Sequence, residues 1–242
     1  MARHADPHAR TSLLEAGAQE LARVGIARAR IEDITRLAGL SKGAFYLHFA
    51  DKEALFQELL DAMTTRLAAH VVEREAAVTE FLSKNPITAR DVRERSARHE
   101  ALLALESHHD EEVLRLMWQE RRIFTVLLRG ASGTRFEGVA WDLADAEVAR
   151  LEEAYTRMQG LGACRDDMPP EVFGSLVVGT YFLLAARMTR LKAPPDFPRW
   201  VNAIQRLIRE GSAPKAAAPR TSRPRARRRN AATARAHSGG VR

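Results

Sequence analysis

The sequence predicts an all-α chain, and three observations carry that reading. Apolar residues recur at helical spacing as far as about residue 211, and no run alternates with period two over the length of a strand. Helix punctuation recurs as well, with Asp6-Pro7, Thr88-x-x-Asp91 and Pro169-Pro170 as starts and Gly25, Gly39 and Gly211 as stops. Hydrophobic residues make up 45% of the 242, ample for a packed core.

The elements follow in order. Asp6 is an N-cap acceptor with proline at the first helical position, so a first helix is expected over 7–24, closed by Gly25. A short second helix places Ile31, Ile34 and Ala38 on one face ahead of Gly39, and a third runs from Ser41 to about Phe49. A longer helix opens at Asp51, with Leu55, Phe56, Leu59, Leu60, Met63, Leu67 and Val71 as its stripe. Past Asn85-Pro86, the capping-type start at Thr88 predicts helices over about 89–107 and 111–129. Residues 131–139, with Gly133 and Gly138, read as a loop. A helix over about 142–159 closes at Gly160 and Gly162, one over 171–191 follows the proline pair, and a last one spans 197–210 beyond Pro194-Pro195. No internal repeat is visible.

The most informative run is 31–49, which has the form of a helix-turn-helix. Ile34, Ala38, Leu40, Phe45 and Phe49 are spaced to meet in one small core, and Gly39 supplies a left-handed turn between two steeply crossing helices. Ser41 is placed to cap the second of them. With Phe45 and Phe49 inward, the outward face holds Lys42, Gly43, Ala44, Tyr46, Leu47 and His48, and the small residues at its start permit close approach to a duplex.

The series Ala38-Gly39-Leu40-Ser41-Lys42-Gly43-Ala44-Phe45-Tyr46-Leu47-His48-Phe49-Ala50-Asp51-Lys52-Glu53-Ala54-Leu55, within a run from about Thr11 to Leu60, resembles the DNA-binding domain of TetR-type transcriptional regulators. The resemblance implies an N-terminal three-helix DNA-binding domain (1–50) joined to a helical ligand-binding and dimerisation domain (51–211). It implies that Ser41, Lys42, Tyr46, His48 and Lys52 belong to the DNA-binding surface, the last four against the backbone, while Gly43, Ala44 and Leu47 face bases or thymine methyls. Phosphate contacts of that kind set register, and base-edge contacts specify sequence. Three departures from the family pattern stand out. Ala29 and Arg30 replace threonines, which removes the hydroxyl cap of the second helix and leaves Arg30 to reach a phosphate. Ala44 replaces threonine, and Glu20 stands at a usually apolar place in the first helix. Glu32 has two readings, as an acceptor for cytosine N4 or as a solvated side chain.

Beyond residue 60 the residues must be read without a motif. The 171–191 helix is apolar almost all round, which calls for a second partner. With the last helix it would form a four-helix interface across a two-fold axis, with Val177, Leu184, Trp200, Ile204 and Ile208 as candidate dimer contacts; the alternative is a fully buried helix in a monomer. Met117, Trp118, Phe124, Trp141, Tyr155, Met158 and Tyr181 are candidates to surround an apolar small molecule, ordinary core being the alternative for each.

Charge is unevenly spread. Residues 212–242 hold nine basic and no acidic side chains, so the net +7 becomes −2 over residues 1–211. That segment is expected to be a disordered basic tail, either drawn to nucleic acid by counterion release or merely solvated. The run His108-His109-Asp110-Glu111-Glu112 is explained by helix capping, the histidines ending one helix and the acids starting the next, and neither a metal site nor a cofactor is expected. No phosphate loop, CxxC pair or Ser/His/Asp arrangement has local support, so catalysis is not expected. Cys164 reads as a small buried or loop thiol, and a lone cysteine with no apolar leader suggests a reducing, cytoplasmic setting. The uncharged stretch 172–186 is short of the roughly twenty residues of a spanning helix, so no membrane partner is expected.

These readings converge on a homodimeric one-component regulator, a repressor released from its double-stranded DNA operator by a small apolar effector. The alternatives are a ligand-independent nucleic-acid-binding dimer relying on its basic tail and, more remotely, an all-helical metal-dependent enzyme.

Overall fold

The computed structural model describes residues 7–212; the start cap at Asp6 and the basic tail from 213 onward lie outside the described residues. Within the described residues, ten α-helices and one π-turn follow one another: α1 (Pro7–Val24), α2 (Ile31–Ala38), α3 (Lys42–Tyr46), α4 (Lys52–Lys84), α5 (Ala89–Glu94), α6 (Ala97–Gln119), α7 (Arg121–Thr125), the π-turn (Val126–Gly130), α8 (Val139–Gly160), α9 (Pro170–Met188) and α10 (Phe197–Ser212). No strand occurs among them.

Punctuation accounts for most boundaries. Gly39 ends α2 at φ 69°, and Asp51 caps α4 by accepting from the Ala54 N–H at 2.7 Å. Thr88 and Asp91 form a reciprocal capping box at α5, as their spacing predicts. The third helix is shorter than the expected 41–49, and Leu47 and His48 lie in the turn that follows it.

Between residues 89 and 130 the structure corrects the expected boundaries. The break falls at Arg95, which adopts φ 49°, and Ser96 caps a new helix by accepting from the His99 N–H at 3.3 Å. From there α6 runs unbroken through 108–112, so the capping explanation of the His-His-Asp-Glu-Glu run does not hold. Tertiary contacts hold this stretch helical: His70 on α4 bonds the His109 carbonyl at 3.0 Å, and Asp110, nearly fully buried, accepts from Gln205 on α10. The next break falls at Glu120. The π-turn then brings Gly130 against Gly25, where Ile26 N–H donates to the Gly130 carbonyl at 2.9 Å.

Two clusters of buried side chains form the core. The first gathers α1, α2, α3 and the first half of α4, and it also takes Ile123, Val126, Leu127, Phe136 and Ala140. Phe56 of α4 meets Phe136 edge to face at 4.8 Å, so this core continues across residue 50 into the following helices. The second gathers Leu114, Met188, Phe197, Val201 and Ile204 from α6, α9 and α10. At 19 residues α9 is longer than its uncharged stretch, and by length and composition it is apolar enough to cross a membrane. It packs against α6, α7 and α8 within the bundle. Glu20, 2% exposed, keeps the predicted register of α1 because Arg23 grips its carboxylate with two hydrogen bonds of 2.8 and 2.7 Å.

Candidate nucleic-acid interface

Seven residues decide the shape of the helix-turn-helix. Ile34, Phe45 and Phe49 are buried, with the two rings 5.7 Å apart, and Ala38 and Leu40 pack against them. Gly39 turns the chain, its N–H donating to the Arg36 carbonyl at 3.2 Å while Leu40 N–H reaches the Thr35 carbonyl at 2.8 Å. Ser41 then caps α3, its hydroxyl accepting from the Ala44 N–H at 3.1 Å. Arg30, the N-cap of α2, makes no side-chain cap bond, consistent with the missing hydroxyl, and its side chain is exposed.

With Phe45 and Phe49 committed inward, the opposite face of α3 is presented outward. Tyr46 and Leu47 are 51% and 55% exposed. Lys42 and Gly43 are exposed, and Ala44 and His48 are half-buried. A Cβ at position 43 would meet nothing nearer than the Ser41 hydroxyl at 3.8 Å, so glycine there leaves open space on the outer face. Lys42 donates to Glu32 on α2 at 2.6 Å. That bond holds the Glu32 carboxyl below its usual range and raises the Lys42 ammonium, so both are charged near neutrality. Lys52 also braces the domain from within, because its ammonium donates to the carbonyls of Ala27 and Ala29 at 2.8 and 2.9 Å and closes the α1–α2 loop. Sequence reasoning missed Leu37, which stands 45% exposed on the neighbouring helix beside Arg36. Its omission from the predicted small core was the available signal.

The candidate ligand residues are spread out. Met117, Trp118 and Tyr181 pack on the second cluster and Phe124 on the first. Tyr155 is fully buried, stacked on Phe173 at 4.0 Å, and its hydroxyl is pushed up to about 12, chiefly by burial. Trp141 is 63% exposed against Phe182, and Met158 is exposed. An open cleft of about 410 Å³ runs instead between α6 and α10, past Glu100, Ser107, Glu111, Asn202 and Arg209.

The candidate dimer residues also face mixed directions. Ile204 is buried inside the protomer, with Leu184, Trp200 and Ile208 packed around the same cluster, and Val177 is half-buried. The exposed apolar side chains of these helices are Val172, Leu176 and Leu183 on α9 and Leu207 on α10. On α9 their spacing of four and seven draws a single stripe. Cys164 is buried, as read from the sequence.

Residues 13–59, which span this whole helix-turn-helix, match the family of bacterial regulatory proteins of the tetR type. The matched stretch is a tetR-type helix-turn-helix domain. Over 54 residues the chain is 41% identical to the HTH-type transcriptional regulator TtgR of Pseudomonas putida, a match covering 22% of this chain and 26% of that protein. It is 43% identical over 54 residues to the A-factor receptor protein of Streptomyces griseus, covering 22% and 20%. The matched stretch thus spans about a quarter of the curated relatives' length or less. The likeness of fold extends further. NalD, the secondary repressor of the MexAB-OprM multidrug efflux pump in Pseudomonas aeruginosa, superposes over 85% of this chain and 95% of its own, with a TM-score of 0.55 at 19% identity.

Proposed function

We propose that the chain is a one-component transcriptional regulator that binds a two-fold DNA operator as a homodimer and represses until a small molecule enters its helical domain. The observation that carries this reading is the outward face of α3 and of the turn after it, where Lys42, Gly43, Tyr46 and Leu47 stand free of a core secured by Phe45 and Phe49. Arg30, Ser41, Ala44, His48 and Lys52 complete the proposed DNA surface, with Lys52 acting first as the clip that sets the α1–α2 loop. A capped helix end aimed at phosphates and small residues beside base edges are what major-groove docking requires. The proposed activity is DNA binding in the cytoplasm, with no catalytic step.

Release by a small molecule is supported by the A-factor receptor among the relatives, and repression by NalD among the structural neighbours. Met117, Trp118 and Tyr181, which remain together beside the second cluster, are the proposed contacts for an apolar effector. The proposed two-fold contact uses the exposed stripe Val172, Leu176 and Leu183 together with Leu207, because Ile204 already serves the protomer's own core.

The full chain, incubated with random duplexes and sequenced after rounds of selection, is expected to enrich a palindrome whose half-sites lie about one helical turn, or a multiple, apart. Recovery of no preferred sequence would overturn the reading.

A further inference from the structure

Three side chains from two helices converge at a place that DNA binding does not use. His70 lies midway along α4, and His109 and Glu112, three residues apart, share one face of α6. One ligand atom from each lies within 4.8 Å of the other two. His109 is only 8% exposed, and neither of its ring nitrogens has a hydrogen-bond partner. The closest carboxylate oxygen, Oε2 of Glu112, stands 3.3 Å from Nδ1 without the geometry of a bond. A buried ring left this way is costly unless something else occupies its lone pair.

The surroundings are those of a ligand set. A carbonyl only accepts, so the 3.0 Å contact of His70 Nε2 with the His109 carbonyl is made by an Nε2–H, and in the neutral tautomer so defined the free pair sits on Nδ1. A ring oriented by a backbone carbonyl in this way is the usual support of a metal-bound histidine. His108 Nε2 lies 3.4 Å from the second oxygen of Glu112 and steadies the carboxylate from the outer side. Arg74, one turn beyond His70, is the cation that opposes a metal here, and its guanidinium is engaged by Asp110 at 3.4 Å.

We propose that His70, His109 and Glu112 form a site for a divalent transition-metal cation, Zn²⁺ fitting best, which ties α4 to α6. Two imidazoles and one carboxylate are a common zinc set that leaves a fourth position for water or another donor. Bonds of about 2.0–2.1 Å place tetrahedral ligands about 3.4 Å apart, so the site closes chiefly by rotation of Glu112, the most exposed member. Because α4 starts at Lys52, beside α3, the clamp acts on the helix that carries the DNA-binding domain. That consequence rests on the regulator reading; metal binding itself does not.

The test uses the full chain, stripped with chelator, desalted and titrated with ZnCl₂ against a chromophoric chelator. One Zn²⁺ per chain is expected, with Kd on the order of micromolar or tighter. His70→Ala and Glu112→Gln should each weaken it by at least about tenfold with unchanged circular dichroism, and saturating Zn²⁺ should raise the Tm of the parent alone by about 5 °C. His109→Ala opens the core and serves only as a supporting variant. Equal zinc affinity in the parent and the His70→Ala/Glu112→Gln double variant would overturn the proposal, as would the absence of binding at about 100 μM. A chain that binds zinc through these residues yet selects no DNA would keep the site and sink the regulator reading, and the converse result would do the reverse.

Discussion

Glu32 occupies the ammonium that a DNA phosphate would take from it. The bond to Lys42 is solvent-exposed and weak in water, yet it must break before Lys42 turns to a duplex. Glu32→Gln is therefore expected to tighten operator binding in a gel shift, with the largest gain at low salt. If Glu32 instead accepts from cytosine N4, the same variant loses preference at one base position, which competition with substituted duplexes reads directly. Gly43→Ala separates fold from function at this face. Its Cβ has room, so stability should hold or rise by about 0.5–1 kcal/mol through helix propensity, while affinity falls because the methyl stands between α3 and the groove. Tyr46→Ala should leave the Tm close to the parent's and weaken operator binding by about 1–3 kcal/mol.

Among the elements, α9 and α10 carry two different apolar surfaces, and substitutions tell them apart. Leu183→Glu and Leu207→Glu are expected to give folded monomers by sedimentation, because these side chains, 69% and 71% exposed, leave the protomer core intact. Ile204→Glu should instead unfold the second cluster, since it buries a charge against Leu114 and Met188. The α5 cap has a pH signature. Hydrogen bonds from the Thr88 hydroxyl and backbone N–H, with Arg98 beyond, hold the Asp91 carboxyl well below its ordinary value. A carboxyl depressed in the folded state stabilises fully above its unfolded value near about 3.9 and loses that contribution as pH falls below it. Melting temperatures of the parent and Asp91→Asn should thus differ by a constant amount from pH 7 down to about pH 4, and the difference should begin to shrink only below that.

Across the whole molecule, the helix-turn-helix and the helices that follow it are welded where Gly25 and Gly130 meet. A Cβ on Gly130 would stand 2.9 Å from the Gly25 Cα, and backbone on both sides leaves neither free to yield. Gly130→Ala is expected to cost about 1–3 kcal/mol in urea denaturation. The basic residues beyond 211 are to be tested at the same scale. Counterion release lowers log affinity by about 0.9 per neutralised phosphate for each decade of salt. Nine tail cations should therefore steepen the salt dependence of binding, and a chain ending at 211 should show a flatter slope and weaker non-specific binding while keeping its preferred site.

The helix-turn-helix was legible in the sequence because everything that makes it lies within about twenty contiguous residues: a glycine that accepts φ 69°, a serine that caps, and two phenylalanines spaced onto one face. Such features act through local backbone chemistry, which needs no knowledge of distant neighbours. The same locality located α1, the start of α4 and the capping box at Thr88. What only the tertiary structure decided is how distant surfaces meet. Helical spacing shows which face is apolar, not which helix will cover it. Ile204 was therefore legible as apolar but not as belonging to the protomer's own core, and the seven candidate ligand residues were legible as aromatic or thioether without any indication that they separate. The run at 108–112 looked like two helix ends, because its charges match helix dipoles. It stays helical because His70 and Gln205, from distant parts of the chain, bind its backbone and its buried carboxylate. Local signals set where helices start and stop when nothing else competes, and a buried polar contact between helices is strong enough to override them.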